Sequence, residues 1–308
     1  MTSTTRPATQ RLKFLSSPNA SGLALAVLAA IAFGTLAISA KFAYRVGAAP
    51  IPLLAVRFAI AAVLLALYHA IIRRPLTVPK PVLGKLVIGG GLLYGFEATL
   101  FFAALERAPA AIVGLVFYSY PLWTTLMGFL TGLEAFRWQL LAALGLGSAG
   151  VLLVFSLPTV GLAGPLLAAG AALVVAFYFI FMQLALRDAS ASVAAMWTSA
   201  GAALALGAAS AITREGIPAA AIVHALALAA ASAFAFATLY EAIIRIGSTR
   251  SSIAAMLEPV TTLILAAALL GEELSLRVLV GAALIVSVLP LLASVGHRDT
   301  TAPAADSL

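Results

Sequence analysis

Apolar residues run along this chain in unbroken blocks, without the alternation of a strand or the one-sided spacing of a surface helix. The blocks fall near 21–44, 51–72, 84–105, 109–130 and 138–156 in the first half, and near 162–186, 191–212, 219–244, 251–270 and 276–295 in the second. Each is about 20 residues long, the length an α-helix rising 1.5 Å per residue needs to cross the hydrocarbon core. Barrel strands would alternate over about 10 residues, so they are excluded. The pattern predicts an all-α integral membrane protein of ten transmembrane helices, joined by connections too short to fold alone.

The two halves are copies. Residues 104–141 recur without a gap 138 positions later: Ala104 meets Ala242, Arg107 meets Arg245, Pro121 meets Pro259, Thr124 meets Thr262, and Glu134 meets Glu272. Chance similarity between Leu/Ala-rich segments does not keep Arg, Pro, Thr and Glu in fixed order, so duplication is inferred. The predicted organisation is a tail at 1–20, a first repeat at 21–157, a second at 161–295 and a tail at 296–308. Five helices per repeat make the second copy enter the membrane with the opposite sense. Glu134 and Glu272 then lie on opposite faces, and a shared site belongs between the repeats near the bilayer midplane.

Composition agrees with a lipid environment: 63% of the residues are hydrophobic and 9% charged, and the mean hydropathy is +1.11, too apolar for a water-facing surface. Basic residues orient the chain. Arg6, Arg11, Lys13, Arg73, Arg74, Lys80, Lys85, Arg137, Arg187, Arg245, Arg250 and Arg298 fall on the side of the termini; Lys41, Arg45, Arg107, Arg214 and Arg277 fall on the other. Both termini are therefore expected in the cytoplasm. The net charge of +7 is this topology signal facing anionic lipid, and no basic soluble domain exists to bind nucleic acid. The first apolar run is longer than a signal-peptide core, and Ile38 stands where a cleavage site ending at Ala40 needs a small residue, so it is expected to remain as a helix. With no cysteine, disulfides, thiol catalysis and cysteine metal sites are excluded. No metalloprotease, nucleophile-elbow or phosphate-loop motif is present, and Ser148 within Gly147-Ser-Ala-Gly150 has no histidine at its depth. Neither an enzyme, a cofactor nor a metal is expected.

Ionisable groups within the bilayer cost about 3 kcal/mol each on insertion scales, so Lys41, Arg57, Glu97 and Glu258 demand a reason. Arg57 lies about 9 Å and Glu97 about 12 Å from the same face, a matched depth that predicts an ion pair. Lys41, within about 5 Å of its helix end, can snorkel to the headgroups. Tyr94, Glu97 and Phe101 share one helix face, as do Phe117, Tyr120 and Thr124, with Tyr118 beside them. Gly91 and Gly95 form a small-xxx-small packing seam. Pro121 and Pro259 predict helix breaks at matching places, the best sequence pointer to a transporter site. Glu258 adjoins the second break, where the first repeat has Tyr120. Tyr178, Trp197 and Thr262 complete a candidate substrate cavity that would stack on a planar or cationic ligand. Trp123, Trp138, Tyr44 and Tyr240, near helix ends, read as interface anchors.

The stretch from Phe102 to Pro109, then Pro121-Leu-Trp-Thr124, then Thr131-Gly-Leu-Glu134 and the glycine-bearing helix Leu141–Val154, resembles one EamA-type unit of the drug/metabolite transporter superfamily. Ile243-Ile-Arg-Ile-Gly-Ser-Thr249, Leu257-Glu-Pro-Val260 and Gly271-Glu-Glu273 are similar in the second copy. Helix 1 offers Phe33-Gly34 where the family often has Trp-Gly. The resemblance covers about residues 20–295 and implies export of amino acids, related metabolites or drugs. The expectation is a monomeric, multi-pass inner-membrane exporter whose partners are a small-molecule substrate and the lipid bilayer. Amino acids, aromatic ones included, lead as substrates; a gradient-driven uniporter or importer of a similar solute is the alternative.

Overall fold

The computed structural model describes residues 18–105, 107–108, 110–155, 161–213, 216–271 and 274–295. Residues 1–17 of the tail expected at 1–20, the tail at 296–308, and the residues Arg214 and Glu272 lie outside them. Among the described residues the secondary structure is helical, with no strand. The first repeat comprises α1 (Pro18–Arg45), α2 (Pro50–Ile71), α3 (Lys80–Leu105), α4 (Ala110–Phe117 and Tyr120–Leu130) and α5 (Trp138–Val154). The second opens with α6 (Ala163–Ala185) and α7 (Ala191–Thr213).

Eight described segments are long and apolar enough to cross a membrane, and Trp138–Val154 is a shorter apolar ninth. The tenth is hidden in the longest of the eight, the 51-residue stretch Ala219–Leu269. There Gly247 has φ +83° and ψ 166°, a conformation essentially reserved for glycine, since a Cβ would clash with the backbone. It divides the stretch into α8 (222–246) and α9 (248–270). The last span, Leu276–Ser294, is α10.

The repeated prolines act as first-turn residues. In α4 the helix stops at Phe117 and restarts at Tyr120, with Pro121 inside the new first turn. In α9 a 3₁₀ turn at Ala255–Leu257 precedes the helix Glu258–Leu270, with Pro259 placed the same way. Proline lacks the N–H that a first turn leaves unused, whereas in mid-helix its ring would clash one turn back. Both breaks therefore lie just before the prolines, 138 positions apart. α3 begins at Lys80, earlier than its apolar block, because Pro81 sits harmlessly in its first turn. It also carries a π-helical segment, Lys85–Gly91, which the pattern of apolar residues did not announce.

Packing obeys the duplication. α1 lies on α8 as α3 lies on α6; α1 lies on α9 as α4 lies on α6; α2 pairs with α7 and α5 with α10. Exchanging the repeats maps each contact onto another or onto itself, so the principal contacts run between repeats. The start of α1 meets the end of α10, where Asn19 Nδ2 donates to the Val295 carbonyl at 2.6 Å. The start of α6, by contrast, meets the end of α3, since a Cβ on Gly164 would strike Ala108. The second copy is thus inverted relative to the first.

Lipid is as apolar as leucine, so these helices gain little by hiding from it and associate through close backbone approach. A Cβ on Gly91 would lie 2.5 Å from Gly201 Cα, and one on Gly150 2.6 Å from the Gly281 carbonyl oxygen. These seams bind α3 to α7 and α5 to α10.

Candidate functional site

The two helix breaks border a cavity of about 430 Å³ between the repeats. Its lining runs from mid-membrane to Tyr44 at the end of α1, Leu53 at the start of α2 and Phe155 after α5. Those positions lie at one face. The lining stops short of the opposite face, where α1 begins and α10 ends. The protein is thus open to one side and closed to the other.

Twelve aromatic residues line the wall. Tyr94 stands edge-on to Phe58 and Phe236, both with centroids at 5.2 Å; Phe101 meets Phe117 at 4.9 Å; Tyr120 stacks on Phe179 at 5.6 Å. Three charged residues enter this wall, namely Arg57 from α2, Glu97 from α3 and Glu258 from the break in α9. Tyr118, from the break in α4, and Glu258, from the break in α9, line the same cavity. The two breaks therefore border one space.

Of the residues expected to line a cavity, Tyr94, Glu97, Phe101, Phe117, Tyr120, Tyr178, Glu258 and Thr262 do so, with Arg57 and Pro259. Thr262 also ties α9 to α1, its hydroxyl donating to the Gly34 carbonyl at 3.0 Å. Thr124 is not in the wall: it is fully buried, and its hydroxyl donates to the Tyr120 carbonyl at 2.9 Å. Trp197 points away, its indole N–H donating to the Leu76 carbonyl at 2.9 Å. Lys41 is exposed and outside the lining.

The Arg57–Glu97 ion pair expected from matched depth does not form. Depth is one coordinate of three, and the rotation of each helix decides the others. The Arg57 guanidinium instead lies 4.5 Å from the Phe58 ring centroid and is approached by the Tyr94 hydroxyl. Tyr240, read as an interface anchor, is fully buried and shares a hydrogen bond with Tyr178. Phe155, Phe179 and Phe236 line the cavity without having been singled out in the sequence, and Phe33, noted for standing where the family often has Trp, lines it as well. Phe179 had a usable signal, as the immediate neighbour of Tyr178.

The closed face is held by polar contacts both across the repeats and within the second one. Arg250 Nη2 of α9 reaches Glu134 Oε1, just beyond α4, at 3.7 Å, the side chains being 6% and 11% exposed. Arg250 Nη1 donates to Asn19 Oδ1 at 3.0 Å and to the Val295 carbonyl at 3.3 Å. Beside them the Ser248 backbone N–H donates to Gln183 Oε1 of α6 at 2.7 Å.

Comparison with known proteins fits this geometry. The EamA-like transporter family matches twice, over residues 20–156 and 162–293, the two halves recognised from the 138-residue offset. A solved crystal structure has a similar fold, with a TM-score of 0.76 and 24% identity over 89% of this chain and 98% of that one. Comparison with curated proteins returns no match. With both halves matched and an inverted helical pair built around a one-sided cavity, the chain belongs to the EamA-like transporter family.

Proposed function

We propose that this membrane transporter of small solutes works by alternating access and exports a small organic metabolite, with amino acids, aromatic ones included, as the leading class. The observation that carries this reading is the cavity itself, bordered by both helix breaks, open to one face and latched at the other. A carrier needs a site between two inverted halves that can rock against each other. The aromatic wall suits a planar side chain, and Glu97 and Glu258 suit an amine. A gradient-driven uniporter or importer would use the same cavity, and direction separates the readings. The bias of basic residues supports a multi-pass inner-membrane protein with cytoplasmic termini, its cavity open outward. A monomer accords with a cavity walled by one chain. The test is a proteoliposome panel of amino acids, with and without an imposed pH gradient. Saturable, gradient-dependent movement of one class supports the reading; no movement of any member contradicts it.

A further inference from the structure

Arg57 is 6% exposed, and both its Nε and Nη2 are buried without a hydrogen-bond partner. Those two nitrogens share the side-on edge of the guanidinium, the edge that grips two oxygens of a planar anion at once. Ion pairs among the described residues join Lys85 to Asp188, Arg245 to Glu241 and Arg250 to Glu134; none takes in Arg57. Its contact with the Phe58 ring leaves that edge without a partner. Donors of a permanently charged group left without a hydrogen bond in a low dielectric are costly. Here it sits in the wall of the cavity read above as the solute site.

We propose that the side-on edge of Arg57 is the receptor for a carboxylate on the transported solute, and that this contact is required of the cargo whereas an amine is dispensable. The inference rests on the cavity being the solute site. One further observation and the geometry of the guanidinium select a carboxylate among oxyanions. Glu97 and Glu258 line the same small volume, so a phosphate dianion would add two negative charges beside two carboxylates with one cation to offset them. A single planar negative charge meets the fork geometry and leaves the apolar body of the solute against the rings.

The test uses the purified full chain and four probes on one scaffold: phenylalanine, its methyl ester, 3-phenylpropionate and phenethylamine. Binding is read directly, so a failure of transport does not disguise it. The proposal predicts saturable binding of phenylalanine and 3-phenylpropionate, with the ester and phenethylamine weaker by about tenfold or more. This comparison needs no protein variant. Arg57→Lys keeps the charge and loses the fork, and should weaken the two carboxylates by a similar factor while leaving phenethylamine unchanged. A merely structural role would lower all four together. Equal binding of ester and acid, retention of carboxylate binding in Arg57→Lys, a uniform loss across the probes, or no binding of either carboxylate overturns the proposal. Solute flux that ignores the carboxylate would also overturn it while leaving the carrier reading intact; binding without flux would do the reverse.

Discussion

Arg250 of the second repeat reaches Glu134 of the first at 3.7 Å, both nearly buried, on the face opposite the cavity mouth. The proposed rocking of one repeat against the other would have to break this contact. A buried pair that loses one member strands the other at a cost of about 3–5 kcal/mol. Arg250→Met should therefore loosen the closed face, and Glu134→Gln in the same chain should partly restore it. The chain has no cysteine, so a thiol placed at the buried Ala26 of α1 reports alone. Its labelling by a membrane-impermeant maleimide from the latch face should rise in Arg250→Met and fall back in the double variant. Equal labelling in all three would show that the pair is not a latch.

Gly34 lets α1 approach the second break. A Cβ there would lie 2.6 Å from Thr261 Cβ and 2.8 Å from the Glu258 carbonyl oxygen. Gly34→Ala must push α9 away, at about 1–3 kcal/mol, and shift Glu258 and Thr262 in the wall. Thermal unfolding should report the loss of stability and solute titration a lower affinity. A variant with unchanged melting temperature and affinity would refute this positioning role.

Gly247 turns the chain between α8 and α9 at φ +83°. Gly247→Ala is expected to cost about 1–3 kcal/mol through backbone strain, readable as a lower melting temperature in detergent. Unaltered stability would mean that the turn relaxes to an ordinary conformation.

Glu258 faces Tyr118 across the repeat boundary and has Tyr120 as its repeat mate, so the halves differ where a coupling group would make them differ. Glu258→Gln keeps the shape and cannot titrate. If Glu258 carries the coupling proton, accumulation driven by a pH gradient disappears while exchange at equal pH persists. Undiminished accumulation would remove Glu258 from that role and leave Glu97 as the next candidate.

Much of this architecture is written in the chain at one dimension's depth. Run length identifies the spans, and the 138-residue offset joins Pro121 to Pro259 before any helix is seen. The cavity wall is harder to read. Helices apolar on all sides have no polar face to separate lipid-facing from cavity-facing positions, so Phe236 and Phe155 look like filler, and Trp197 looks like lining. Arg57 and Glu97 share a depth but not a pairing, because rotation about the helix axis has no signature in a uniformly apolar sequence. The Arg250–Glu134 latch joins a residue of a broken helix to one in a connection, and each by itself reads as a charge near a membrane face.

The alternating-access account is tested most directly by counterflow in proteoliposomes. Vesicles loaded with unlabelled solute and placed in a trace of the labelled solute should take it up saturably and faster than empty vesicles, because a carrier returns sooner when loaded. Uptake that rises linearly with concentration and ignores the solute inside would describe a channel and contradict the account.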